Sequence, residues 1–571
     1  MLEDLYTQEG QSLSGTPWER YPRPQMKRDS FLCLNGSWDF AATAGEQPES
    51  YPYSILVPFC PESLLSGVHT HFPEGSALYY RRSFRLPEGF QKGRVLLHIG
   101  AADQHLQAFV NGSQVGSHSG GYTAMCFDIT QALQEENELV VRCVDDLRDL
   151  AMPYGKQTMK RGGMWYTPVS GIWQSIWLES VPEAYIAGLD IKADEQKAVI
   201  TVTPALEGVV ELAGKRYPLQ NGRAVIAPET PRLWTPEDPY LYEFTVQTDT
   251  DRVESYFALR SLSVRTVGGY PRLCLNGKPY FFHGLLDQGY WPDGIYTPAT
   301  PDCFRKDILA MKDLGFNMLR KHIKVESEEF YYQCDRLGMV VFQDMVNNGD
   351  YGYVRDTVLP TLGVQKRRDE KMHKDTRGRR IFLETMEDTV RQLKNHPCIC
   401  YWTIFNEGWG QFQSAAAYDR LKALDDSRFV DSTSGWFRGG ATDVESMHIY
   451  FTPWSWLKAC DKPLVLSEFG GYCYAVPNHI FNPEKAYGYK TCKTQAQFRQ
   501  ELEQLYRERI LPAAAKGLCA AVYTQVSDVE DEINGLLTYD RVCCKADRET
   551  MLAIARQLQE AVAISGEAVV E

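Results

Sequence analysis

The chain has 571 residues, more than one ordinary domain holds, and its length predicts two to four domains. A hydrophobic share of 44% and a charged share of 23% exclude a disordered protein, and a chain this long buries enough core to fold without disulfide or metal. Sixty basic against 74 acidic side chains leave a net charge of −14, which excludes nucleic acid as a default partner because a phosphate footprint needs a basic face.

The amino terminus, Met1-Leu2-Glu3-Asp4, is acidic where a secretory signal is basic, and no apolar run follows it. No stretch approaches the length of apolar chain that spans a bilayer, so no membrane partner is expected. The fifteen cysteines are scattered and odd in number, without paired zinc-ligand spacing. A reduced, cytoplasmic chain with no metal site is therefore expected.

From the start to about Ser180, turns alternate with short apolar runs: Gly36-Ser37-Trp38-Asp39-Phe40, Leu78 to Leu86, Arg94 to Gly100, Leu139 to Val144 and Ile172 to Leu178. Asn111-Gly112 between apolar positions is a hairpin signal. Residues 1–180 are predicted to form a jelly-roll-like β-sandwich. Residues 181–267 alternate in the same way, at Val199-Ile200-Thr201-Val202 and at Tyr242 to Val246, and their number suits an immunoglobulin-like sandwich. From Tyr270 the pattern changes to apolar runs separated by amphipathic helices. Eight such runs predict a (β/α)₈ barrel over residues 268–571, with a doubly wound sheet as the alternative. The polar stretch from Asp344 to Thr376 lacks periodicity and is expected to form a rim of the site.

Reactive groups of a barrel sit where strands run into the following loops. Two carboxylates occupy such positions: Glu407, in Phe405-Asn406-Glu407-Gly408-Trp409 after the fourth strand, and Glu468, in Ser467-Glu468-Phe469-Gly470 at the seventh. These strands face each other across the barrel mouth. Paired carboxylates at about 5–5.5 Å are what a retaining glycosidase needs, one as nucleophile and one as acid/base. Trp402, Trp409 and Trp436 are candidates for an apolar wall under a sugar ring.

The sandwich–sandwich–barrel order resembles glycoside hydrolase family 2. So do Leu34 to Phe40, Gly120-Gly121-Tyr122, Asp128-Ile129-Thr130, Gly171-Ile172-Trp173, His283-Gly284 and the two glutamates. The resemblance implies a retaining β-glycosidase with Glu407 as acid/base and Glu468 as nucleophile, Asn406 on the sugar 2-hydroxyl, and Tyr450 orienting the nucleophile. Arg320 is expected to hydrogen-bond the nucleophile, and Asp287, Lys324, Trp436, His448 and Tyr523 complete the expected substrate-binding set. No cofactor is implied. The expected partner is a glycoside or oligosaccharide, and a homo-oligomer is left open. A carbohydrate-binding protein without catalysis is the alternative from another class.

Two departures bear on the sugar. Arg320 is followed by Lys321-His322-Ile323-Lys324 rather than by the small-residue-His-Tyr-Pro sequence of family β-galactosidases and β-glucuronidases. The region after the eighth strand lacks the Asn-x-Lys element by which β-glucuronidases hold a carboxylate. Its acids Asp528, Glu530, Asp531 and Glu532 are expected on a solvated loop. A neutral hexoside such as a β-galactoside is the first expectation, with a β-glucuronide or β-galacturonide as the alternative. Under that alternative Lys324 reaches the substrate carboxylate; otherwise it bridges to Glu326, Glu328 or Asp344.

Overall fold

A computed structural model of the protein describes residues 4–364, 368–437, 440–450 and 452–564. The first three residues of the acidic amino terminus, and 365–367 of the long polar stretch, lie outside the described residues.

The amino-terminal sandwich packs a four-stranded sheet on a six-stranded one. Strand alternation places Trp38, Phe40, Tyr80, Leu97, Ile99 and Val141 between the sheets, each at most 2% exposed. The Asn111-Gly112 hairpin forms as expected, joining His105–Val110 to Ser113–Ser119, with φ of 51° and 79° at the two turn residues. The second sandwich packs a three-stranded sheet on a four-stranded one around Ile200, Val210, Phe244 and Phe257. The strand Leu262–Val267, expected to end this sandwich, pairs instead with Tyr270–Leu275. From that hairpin Arg272 donates to the carbonyls of Ala514 and Leu518, beneath the barrel.

Eight strands form the barrel sheet: Phe282–Asp287, Met318–Lys321, Val340–Asp344, Ile399–Asn406, Phe429–Ser434, Glu445–Ile449, Leu464–Gly470 and Leu518–Thr524. Their spatial order is 5-4-3-2-1-8-7-6, with parallel ladders throughout. The seam between the fifth and sixth strands is bridged by Asp443, whose amide donates to Val430 O and whose carboxylate accepts from Val430 N, both at 2.9 Å. The predicted helices are observed at Asp302–Asp313, Glu328–Leu337, Thr376–Leu393, Ser414–Leu424 and Arg548–Ile564. The helical stretch before the eighth strand, Gln495–Leu505 and Leu511–Ala515, is interrupted by a π-helical turn at Tyr506–Ile510. Among the described residues no α-helix follows the fifth or sixth strand, so the outer layer is thinner than strict alternation predicts. No helix of the described residues is long and apolar enough to cross a membrane.

Candidate active site

Glu407 follows the fourth strand with φ +54°, in a left-handed turn continued by Gly408 at +74°. Its amide donates to Ser434 O, at the end of the fifth strand, at 2.9 Å. Glu468 lies within the seventh strand. The pairing register shifts between Leu466 and Phe469, and again on the neighbouring strand between Met447 and His448. Such irregularities re-aim individual side chains, and here both Glu468 and His448 are among the residues affected. His448 Nδ1 stands 2.9 Å from Glu407 Oε1 and 3.5 Å from Glu468 Oε2, so it bridges the two carboxylates. One oxygen of each glutamate and this nitrogen lie within 4.8 Å of one another.

Arg320 anchors Glu468. It is 1% exposed, and its Nε donates to Asp344 Oδ1 at 3.0 Å, Nη1 to Glu468 Oε1 at 3.0 Å and to Ser467 O at 2.9 Å, and Nη2 to Asn406 Oδ1 at 2.8 Å. Asn406 therefore spends its carbonyl on Arg320 and keeps its NH₂ for the cavity. Tyr450 donates to Glu468 Oε2 at 2.8 Å, and its hydroxyl lies 2.6 Å from that of Thr524. Burial pushes the Glu468 carboxyl upward, but His448, His322, Arg320 and Lys156 outweigh it and hold the group well below the usual carboxylate range.

Glu407, His448 and Glu468 are the one group among the described residues with the spacing to ligate a metal ion. The cations that already surround Glu468, Arg320 first, oppose a dication there.

The structure brings Glu407, Glu468, Arg320, Asn406, His448 and Tyr450 together at the barrel mouth. Trp436 joins them edge-on against His448, ring centroids 5.3 Å apart, and its Nε1 has no protein partner among the described residues.

Three expected substrate contacts are corrected. Lys324 does not enter the cavity: it is 1% exposed, and its ammonium donates to Gly289 O, Tyr296 O and Glu326 Oε1 at 2.6–2.8 Å. Asp287 is paired in register with Lys321, on the opposite face from Leu286 and Arg320. Its two oxygens are taken by Lys321 at 2.7 Å and by the Gly289 amide at 2.9 Å. Tyr523 is fully buried, packs on Phe469 and accepts from Tyr472 N at 3.1 Å. Thr524, one residue later, is the member of the eighth strand that reaches Tyr450. Because side chains alternate faces, a shift of one residue exchanges cavity for core.

Trp402 is likewise core, its Nε1 bound to Asp425 at 2.8 Å, whereas Trp409 packs on Tyr351 and on the sandwich residues Tyr154 and Trp165. The acids after the eighth strand are not solvated. Asp528, Glu530, Asp531 and Glu532 are at most 4% exposed, on Lys545, the Thr167 amide, Arg161 and Asn482, and Tyr166 respectively. The stretch after Asp344 lines a cleft of about 700 Å³ with Gly408 and Gly410, through Asp350, Arg355 and His373, and neither Glu407 nor Glu468 lines that cleft.

The sequence reading missed His322, Asp344 and Lys156. His322 Nδ1 lies 2.7 Å from Asp344 Oδ2 and 3.9 Å from Glu468 Oε1. Burial lowers its pKa, against the hydrogen bond to Asp344. Its signal was the spacing: Arg320 and His322 are two apart and share a face of the strand. Lys156 comes from the other domain, and no local pattern announces it.

Lys324→Ala is accordingly expected to act on stability. It leaves buried carbonyls and Glu326 short of a partner, a loss on the order of 3 kcal/mol. A thermal melt should show the drop, with substrate preference unchanged; a change of preference without destabilisation would contradict this placement.

Residues 270–549 match the glycosyl hydrolases family 2 TIM barrel domain, 64–182 the family's sugar binding domain and 185–260 its middle domain. A mouse β-glucuronidase is 25% identical over 505 residues, covering 76% of this chain and 74% of that one. A β-galactosidase of Thermoanaerobacter pseudethanolicus is 24% identical over 358 residues, covering 57% and 44%. Two solved structures share the fold. The β-D-glucuronidase of Dictyoglomus thermophilum has a TM-score of 0.71 at 17% identity, covering 95% of this chain and 98% of that one. The family 2 β-galacturonidase of Eisenbergiella tayi bound to galacturonate has 0.68 at 18%, covering 95% and 99%. With its three domains matched in order, and its barrel built as they require, the chain belongs to glycosyl hydrolase family 2 and is a glycoside hydrolase.

Proposed function

We propose that the protein is an exo-acting, retaining β-glycosidase whose substrate is a β-linked uronide. The observation that carries the mechanism is the closeness of Glu407 and Glu468, with oxygens inside 4.8 Å. That spacing leaves no room for the water an inverting enzyme places between its carboxyl groups, which then stand about 6.5–9.5 Å apart. Glu468, held ionised by Arg320 and Tyr450, attacks the anomeric carbon. The bond to the leaving oxygen breaks as Glu407 gives that oxygen its proton. In the second step Glu407 takes a proton from water, the water oxygen bonds to the anomeric carbon, and the ester to Glu468 breaks. Asn406 offers its NH₂ to the 2-hydroxyl.

The uronide reading departs from the first expectation of a β-galactoside. Its support is the company the chain keeps, since β-glucuronidases and a β-galacturonidase recur among its relatives and structural neighbours. Hydrolysis of nitrophenyl β-glucuronide, β-galacturonide and β-galactoside, followed by nuclear magnetic resonance, tests both parts. The first-formed sugar should be the β anomer, and the uronides should be turned over at least tenfold better than the galactoside. An α product would refute retention, and a preferred galactoside would refute the sugar.

The pH profile has a sign fixed by Glu468. Its ionised form is the active one, and its pKa lies below the ordinary value of 4.5. The acidic limb of kcat/KM for the free enzyme is therefore expected below that of an unperturbed glutamate. An acidic limb at pH 5 or above would show that a different group limits activity.

A further inference from the structure

A β-uronide carries a carboxylate that the site must receive, and the cations first visible in the sequence are already committed. Arg320 spends its donors on Asp344, Ser467, Glu468 and Asn406. Lys321 is held by Asp287 and Glu326, and Lys324 by two carbonyls and Glu326. Lys545 is bound to both oxygens of Asp528, and Arg161 to Asp531 and Glu530.

Lys156 differs from all of these. It is 8% exposed, yet among the described residues its ammonium makes no hydrogen bond and has no carboxylate oxygen within 4.0 Å. The ammonium itself reaches solvent rather than being sealed in, so it is open to an anion supplied from outside. The preceding Gly155 lies against Ile323 O just past the second strand, and the carbonyl of Lys156 accepts from the amide of Tyr166, whose hydroxyl donates to Glu532 beyond the eighth strand, which places the residue over the barrel mouth. Glu532 does not satisfy it, being engaged by Tyr166 and Asn534.

The backbone that carries Lys156 is fastened to the barrel. Gly349 N donates to Leu150 O and Asn348 Nδ2 to Ala151 O, both at 2.7 Å, and Tyr154 N donates to Asn347 O at 3.1 Å. Gly155 has φ +65°, and a Cβ there would come within 3.1 Å of Ile323 O, so this close approach requires glycine. The carbonyl of Lys156 accepts from Tyr166 N at 3.0 Å, and Gln157 donates to Asp103 and Tyr122. The ammonium thus stands on a platform fixed from both domains, the preorganisation a specificity contact needs.

We propose that Lys156, contributed by the amino-terminal sandwich, receives the carboxylate of the uronide at the catalytic centre of the barrel. This assignment rests on the uronide reading, and it gives the sandwich domain a direct part in substrate selection in place of the missing Asn-x-Lys element.

The test compares wild type, Lys156→Met and Lys156→Arg, as full chains, on nitrophenyl β-glucuronide and β-galacturonide and on the corresponding uronamides, which are neutral and nearly isosteric. Lys156→Met is expected to lower kcat/KM on the preferred uronide about 10- to 100-fold, mainly through KM, and on its uronamide less than about threefold. Lys156→Arg keeps the charge and should retain a preference for the uronide. Equal losses on uronide and uronamide would overturn the assignment, because a lysine acting only through the field on Glu468 affects both alike. A folded Lys156→Arg without uronide preference would overturn it as well. If the wild type handles uronamides or β-galactosides as well as uronides, the uronide reading itself fails, and that result is distinct from a failure of Lys156.

Discussion

Glu468→Gln is expected to reduce turnover by roughly 10⁴–10⁶-fold, the scale of losing the nucleophile in a covalent mechanism. The amide keeps the shape of the side chain and still accepts from Arg320 or Tyr450, now 3.0 and 2.8 Å from the carboxylate. It cannot form the glycosyl ester. Arg320 retains Asp344 as its counter-charge at 3.0 Å, so the buried guanidinium is not stranded, and the melting temperature should move by only a few degrees. Glu468→Ala supplies a sharper readout. An added azide ion can occupy the vacated space, attack from the same face and give an α-glycosyl azide. Undiminished activity in the glutamine variant, or a β-glycosyl azide from the alanine variant, would remove Glu468 from the nucleophile's role.

Glu407→Gln should be costly in a way that depends on the leaving group. Proton donation by a positioned acid contributes about 10²–10⁴-fold, so an alkyl glycoside should lose that much. A dinitrophenyl glycoside, whose aglycone leaves without protonation, should lose far less in the first step. Its turnover is then limited by hydrolysis of the ester, which also needs Glu407 as base. With Glu407→Ala, azide is expected to accelerate that second step and to yield a β-glycosyl azide, because it attacks from the face opposite Glu468. The two alanine variants should therefore give azides of opposite configuration. The same configuration from both would contradict the placement of the two carboxylates on opposite faces of the sugar.

Local pattern carried much of this protein into view. The change from strand alternation to apolar runs spaced by helices at Tyr270 marks the start of the barrel, because each periodicity follows from the geometry of one element. Glu407 and Glu468 were legible for the same reason, since each ends an apolar run and a barrel displays its strand ends at one mouth. Arg320 and Tyr450 could be named on similar grounds once the family resemblance was noticed.

What failed was the choice of face. Asp287, Lys324 and Tyr523 all stand at or just past strand ends, yet each turns from the cavity, while their neighbours Thr524 and His322 face it. A register shift near Glu468 changes which residue points inward, and its position depends on the partner strand rather than on the segment itself. The acids after the eighth strand looked like a solvated loop because charge runs usually are. They are buried because Arg161, Thr167 and Tyr166 of the sandwich domain arrive to bind them. Lys156 depends in the same way on two domains meeting, some 250 to 310 residues from the glutamates it approaches. Short-range periodicity and strand ends pointed to a sandwich–sandwich–barrel order and to Glu407 and Glu468, and the family resemblance supplied the roles proposed for them. Which polar groups share the cavity was decided by tertiary contacts, because a buried charge takes its partner from whatever the fold brings beside it, at any distance along the chain.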